Sequence, residues 1–267
     1  MMSFFVNLSC LMCYMDCFNG LLYTMTGLGV VVFVCLYFVT AGYGQFRTKQ
    51  WGWSIDNRVA WVLMEAPAFL TMLAVWYGGG CPVAAPQVVL LGLFLLHYFQ
   101  RSFVFPLLMT GRSRMPVTIM LSGMSFNIIN GIMQGGALFW FPMEGYQEGW
   151  SYLTHGTSIV GLVVFFVGMV MNLHSDHVIR HLRKPGDTRH YLPGGGMYRY
   201  VTSANYLGEL IEWTGFAIVA GSPAAWVFVW WTAANLVPRA HAIYNKYRVE
   251  FGEGALAGRK RIIPFVY

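Results

Sequence analysis

A chain of 267 residues that is 57% hydrophobic and only 10% charged, with a mean hydropathy of +0.52, holds far fewer charges than the roughly 25% of a soluble domain. That composition excludes a water-soluble globular protein and places the chain in a membrane. The formal charge of +6 would suit a nucleic-acid partner, but the placement of the basic residues accounts for it without one.

A hydrocarbon layer about 30 Å thick takes about 20 apolar residues per helix. Seven windows meet this requirement: 18–41, 59–77, 86–109, 117–140, 152–173, 203–221 and 223–244. The expected fold is an all-α integral multi-pass membrane protein, a seven-transmembrane-helix bundle in which residues 1–267 form a single domain. No internal repeat or hydrophilic domain interrupts the chain, and no protein partner is implied. Strands alternating with helices around a Gly-x-Gly-x-x-Gly turn are absent, so a nucleotide would be held by helix ends and loops and not by a Rossmann domain.

Around the start of the first window stand Cys10, Cys13 and Cys17, without the second pair or histidines of a zinc site. They read as apolar residues of a helix, and no metal is expected. The first residues lack the basic start and cleavage site of a signal peptide.

Lys and Arg gather in cytoplasmic loops. Arg47, Lys49 and Arg58 fall between the first two windows, Arg112 and Arg114 between the third and fourth, and five basic residues between the fifth and sixth. Six more, from Arg239 to Arg261, lie at or beyond the end of the seventh, and one, Arg101, falls within the third. The loop FPMEGYQEGW on the opposite side is acidic. The N-terminus is therefore expected outside or in a lumen and the C-terminus in the cytoplasm, in a bacterial inner membrane or the endoplasmic reticulum alike.

Ionisable side chains within membrane windows face a cavity or each other. In AWVLMEAPAF, Glu65 follows Trp61 by one turn; it either joins helices through a hydrogen bond or is a pocket acid that, when protonated, donates to a carbonyl. LLHYFQRSF sets His97 and Arg101 at i and i+4, with Tyr98 beside them, a phenol that a nearby carboxyl could orient as a donor. Asn130 and Gln134 are a weaker pair that serves to join helices. NLHSDHVIRHLRK carries Asn172, Asp176, Arg180 and Arg183 at helical spacings, suited to ribose, amide and phosphate groups. The polar stretch 174–200 is broken into turns by Pro185-Gly186 and Pro193-Gly194-Gly195-Gly196. In SANYLGELIEW, Asn205, Glu209 and Glu212 share one helix face, a polar wall in an otherwise apolar segment. Arg239, His241, Tyr244 and Tyr247 add a basic, aromatic lining at the cytoplasmic mouth.

These blocks, with GMVMNLHSDHVIRHLRKPG, GGGMYRYVTSANYLGELIEWTGFAI and RKRIIPFVY in that order, resemble the membrane-bound steroid 5α-reductase family across residues 42–267. The resemblance implies an NADPH-dependent reductase of the 4-ene bond of 3-oxo-4-ene steroids in a seven-helix bundle. It implies that Glu65 and Tyr98, with Trp61 nearby, hold the substrate's 3-oxo group. It implies an NADPH site lined by Asn172, Asp176, Arg183, Asn205, Glu209, Arg239 and Tyr247, with Arg112 near the phosphates, and leaves Glu212 to support the bundle. The chain departs from the family at His190-Tyr191-Leu192-Pro193, where a Tyr-Arg pair precedes the loop proline, and at Ser122, where a basic residue is familiar. A reductase of another lipid enone or a polyprenol, a membrane methyltransferase using S-adenosylmethionine, and a transporter are the alternatives. The last would show inverted repeats, which the sequence lacks.

Overall fold

The computed structural model describes the chain apart from Met1, Arg47, Gly111, Arg112, residues 184–186, Thr188 and Ala257, and apart from the side chains of residues 2–11 and of Lys49. The principal helices are α1 (Met2–Phe38), α2 (Asn57–Gly78), α3 (Ala85–Phe99), α4 (Val117–Gly135), α5 (Gly156–Arg180), α6 (Ala204–Ala220) and α7 (Pro223–Phe251). Four segments are long and apolar enough to cross a membrane: Met12–Phe38, Asn57–Gly78, Ala85–Leu108 and Gly156–Arg180. Helix α6, at 17 residues, is too short for that group, while the buried amides of α4 and the amides and cations of α7 lower their hydropathy below it.

Local chemistry sets the element boundaries. Asp56 caps α2 by accepting from the backbone N–H groups of Arg58 and Val59, which the first turn leaves without helical partners. Pro86 and Pro223 stand in first turns, where no helical N–H is lost. Two helices run on through a wide π turn, α3 at Gln100–Val104 and α4 at Gly136–Trp140. The polar stretch after Arg239 is helical: α7 continues through Pro238 to Phe251, and a short helix follows at Glu253–Leu256.

The all-α expectation needs one amendment. Strands β1 (Ser54–Asp56) and β2 (Arg114–Pro116) pair antiparallel, and the Arg114 guanidinium donates to the Ser54 carbonyl. This short ladder ties the start of α2 to the start of α4. The first helix also begins well before residue 18, and Cys13, Cys17 and Cys35 are exposed along it.

Helices α5 and α6 run antiparallel in the most extensive contact of the fold. Glycines make it possible: Gly161 and Gly168 face Gly215 and Gly208, so the two backbones touch. A Cβ added at Gly168 would lie 2.6 Å from the Glu212 Cα and 2.7 Å from the Gly208 carbonyl oxygen. Both are backbone atoms that cannot swing away. Gly168→Ala is therefore expected to lower stability by about 1–3 kcal/mol, the usual range for overpacking, read as an earlier thermal transition in detergent. An unchanged transition would mean that the helices separate freely.

Candidate active site

The close approach of α5 and α6 builds one half of the site. One turn beyond Gly168, the Asn172 side chain donates to the Asn205 carbonyl at 2.9 Å, and the Asn205 amide donates to Asp176 Oδ1 at 3.2 Å. Tyr198, from the loop before α6, adds a 3.4 Å bond to Asn205 Oδ1. Arg101, in the π turn after α3, lies 3.5 Å from Asp176 and 3.6 Å from Glu209, with its guanidinium over the rings of Trp61 and Phe105. A wide turn of this kind displaces the following side chains from α-helical register and is frequent at functional sites.

The three polar residues of SANYLGELIEW share a face but divide their partners. Glu209 meets Arg101, while Glu212 accepts a 2.8 Å bond from the His97 Nδ1. His97 and Arg101 are one turn apart on α3 and its continuation, so an i, i+4 pair on one helix reads an i, i+3 pair on the other. His97 is packed against Trp213, with ring centroids 4.5 Å apart, and Glu212 is 1% exposed. Glu212 thus supports the bundle through His97.

The other half of the site comes from α2, α3 and α4. Trp61, Glu65, Tyr98, Arg101, Glu209 and Arg239 line one cavity of about 350 Å³, within the size range of small-molecule sites. Tyr98 is buried against Phe94 and Trp213. Glu65 reaches Tyr98 through a third side chain, Asn127, which stands between them. Tyr98 donates to Asn127 Oδ1 at 3.3 Å, and Asn127 Nδ2 donates to Glu65 Oε2 at 3.1 Å and to the Met64 carbonyl at 2.8 Å.

Arg239 is held by the Tyr206 hydroxyl at 3.0 Å and by the carbonyls of Ala41 and Tyr43. Tyr247 lies further along α7, half-buried, where burial pushes its phenol up to about 12, so it stays neutral at any working pH. Arg183 is exposed just past α5, near enough for its charge to act on Tyr191 and Tyr247. Arg112 lies outside the described residues. His177 and His181 stack on each other at 4.0 Å, and the His181 Nδ1 bonds the His177 carbonyl.

The two positions at which the sequence is expected to depart from the family have local partners. His190 pairs with Glu250 at 2.8 Å, which pins the loop to the end of α7, and the Tyr191 hydroxyl donates to Asp187 at 2.6 Å. Bonds from the Arg189 and Tyr191 side chains and the Arg189 backbone hold the Asp187 carboxyl well below the usual range, so the loop keeps its charge. Ser122 lines the cavity and bonds the Thr118 carbonyl of its own helix.

Residues 113–267 match the family described as 3-oxo-5-alpha-steroid 4-dehydrogenase. A 3-oxo-5-alpha-steroid 4-dehydrogenase 1 of Bos taurus is 36% identical over 252 residues, 93% of this chain and 96% of that one. Its namesake in Mus musculus is 38% identical over 260 residues, 96% and 98% of the two chains. The chain belongs to the 3-oxo-5-alpha-steroid 4-dehydrogenase family. A steroid 5-alpha-reductase of Arabidopsis thaliana, 32% identical over 94% of this chain and 97% of its own, shows that the likeness extends to a plant relative. Membership makes the chain an oxidoreductase that acts on CH–CH bonds.

Two residues of this site escaped the sequence reading. Asn127 stands three residues before Asn130 and seven before Gln134, the spacing of one helix face, so periodicity carried a signal for it. Tyr206 had none, because an aromatic residue in an apolar helix reads as packing.

Proposed function

We propose that the chain reduces the 4-ene bond of 3-oxo-4-ene steroids of the testosterone and progesterone type to 5α-dihydrosteroids, with NADPH as reductant. It works as one membrane domain crossing the bilayer seven times, with its N-terminus outside or lumenal and its C-terminus cytoplasmic. The observation that carries the reading is the meeting in one cavity of Tyr98 and Glu65 with Glu209 of α6, Arg101 and Arg239. The steroid named for the bovine, mouse and plant relatives supports the substrate class.

The residues present suit a nicotinamide nucleotide. Glu209 Oε2 is buried 3.6 Å from the Arg101 guanidinium and makes no hydrogen bond among the described residues, which leaves it an acceptor for an amide or hydroxyl donor. Asn172, Asp176, Asn205 and Glu209 would hold the polar groups of the cofactor, Arg183, Arg239 and Arg112 its phosphates, and Tyr247 would pack beside it. When bound, NADPH supplies a hydride for the β carbon of the enone, C5 of a steroid. The chain's own task is at the other end of the conjugated system, where negative charge grows on the 3-oxo oxygen. Tyr98 and Glu65, with Trp61 beside them, are set there before the reaction begins, and a preplaced donor of this kind is worth about 2.7–4 kcal/mol.

Incubating the detergent-purified protein with NADPH and testosterone or progesterone is expected to consume NADPH and to yield the 5α-dihydro product by mass spectrometry, with NADH as control. NADPH binding without reduction of either steroid would overturn the substrate, and absence of NADPH binding would overturn the reading as a whole.

A further inference from the structure

Asn127, Asn130 and Gln134 lie on one face of α4 and are 5%, 0% and 1% exposed. Asn127 borders the cavity, whereas Asn130 and Gln134 stand behind its wall. Three amides in an apolar helix can simply join neighbours. Here, however, they form a chain that ends on the phenol of Tyr98 from both sides. Gln134 Nε2 donates to the Ala224 carbonyl at 2.9 Å and to Asn130 Oδ1 at 3.3 Å, and Asn130 Nδ2 donates to the Tyr98 oxygen at 3.2 Å.

The direction of this chain is fixed by its ends. A backbone carbonyl only accepts hydrogen bonds. The Ala224 carbonyl therefore holds the Gln134 amide with its nitrogen outward, which leaves the oxygen of Asn130 for Gln134 and the nitrogen of Asn130 for Tyr98. At the opposite end the Met64 carbonyl claims the Asn127 nitrogen, so Asn127 turns its oxygen to Tyr98. The phenol must accept from Asn130 and donate to Asn127. Its donating bond, at 3.3 Å, is long beside the 2.7–2.8 Å typical of O–H···O bonds.

We infer that Asn130, backed by Gln134, is a positioning residue for the Tyr98 hydroxyl: it holds the phenol oxygen from behind while the proton is parked on Asn127 in a bond weak enough to be exchanged for a substrate carbonyl. The inference rests on the reading that Tyr98 donates to the 3-oxo oxygen. On exchange, the Asn130 bond stays in place, and it strengthens as electron density shifts onto the phenol oxygen during turnover. The exchange inferred here turns only the O–H bond, while Asn130 keeps its hold on the phenol oxygen.

The test is a double-mutant cycle on the full-length enzyme, with kcat, steroid KM, NADPH affinity by fluorescence and the thermal transition read for each variant. Asn130→Leu is expected to lower kcat about tenfold, the worth of one hydrogen bond to a charge-bearing oxygen, with KM and NADPH affinity held within about twofold. In the Tyr98→Phe background the same substitution is expected to cause no further loss of kcat, because the group it positions is gone. Gln134→Met, which reaches Tyr98 only through Asn130, gives a smaller loss of the same kind, about threefold, and provides the readout should Asn130→Leu fail to fold. Losses that multiply in the Tyr98→Phe background, or an unchanged kcat in folded variants, would overturn the inference and leave the reductase reading intact. Full turnover by Tyr98→Phe alone would instead remove Tyr98 as donor, and the inference with it.

Discussion

Tyr98→Phe is expected to reduce steroid turnover by about 10²–10³-fold, the loss typical when one preplaced donor is removed, while NADPH affinity stays near that of the native protein. The substitution keeps the ring and hence its packing 4.6 Å from Phe94 and 5.8 Å from Trp213. What disappears is the hydroxyl, and with it both the bond to Asn127 and the bond from Asn130. Two buried amides then lack a partner, a loss of about 1–3 kcal/mol each, so the thermal transition falls as well. Comparing kcat with NADPH affinity separates chemistry from stability. Lost cofactor affinity with turnover preserved per bound cofactor would put Tyr98 at the nucleotide and not at the carbonyl.

The second large effect concerns His97 and Glu212. Both are buried, and their 2.8 Å contact is the only hydrogen bond for either side chain among the described residues. Removing one partner strands a polar or charged group in a low-dielectric interior, at a typical loss of 3–5 kcal/mol, about what such broken pairs show. Replacing both partners by apolar residues of similar size is often neutral. His97→Leu is accordingly expected to be strongly destabilised, and His97→Leu combined with Glu212→Met to recover most of the native thermal transition. If the two losses simply added, the pair would not be coupled and Glu212 would have a different partner in solution.

Residues whose meaning is local were legible in the sequence. Asn205 and Glu209 announced a polar face by their spacing, and Glu65 and Tyr98 by their chemistry in apolar surroundings. Partners brought together across the fold were not. His97 and Glu212 are 115 residues apart, and nothing in either segment says that the histidine takes Glu212 and the arginine one turn on takes Glu209. Asn127 went unnoticed because its importance comes from Tyr98 and Glu65, which lie on two other helices. The ladder between Ser54–Asp56 and Arg114–Pro116 was hidden too, since a strand of three residues has no period to detect.

That small ladder has a mechanical side. It clamps α2 to α4 at one end, and along their length Gly131 and Gly135 seat Thr71 and Val75 against the α4 backbone. Trp61, Glu65 and Asn127 therefore travel together, as do Asn172, Asp176, Asn205 and Glu209 on the glycine-fused α5 and α6. The grip proposed for the carbonyl and the seat proposed for the nucleotide belong to two separately braced helix pairs, with α3 packed against both. Any loosening between the two pairs would act first on the gap that a hydride would have to cross.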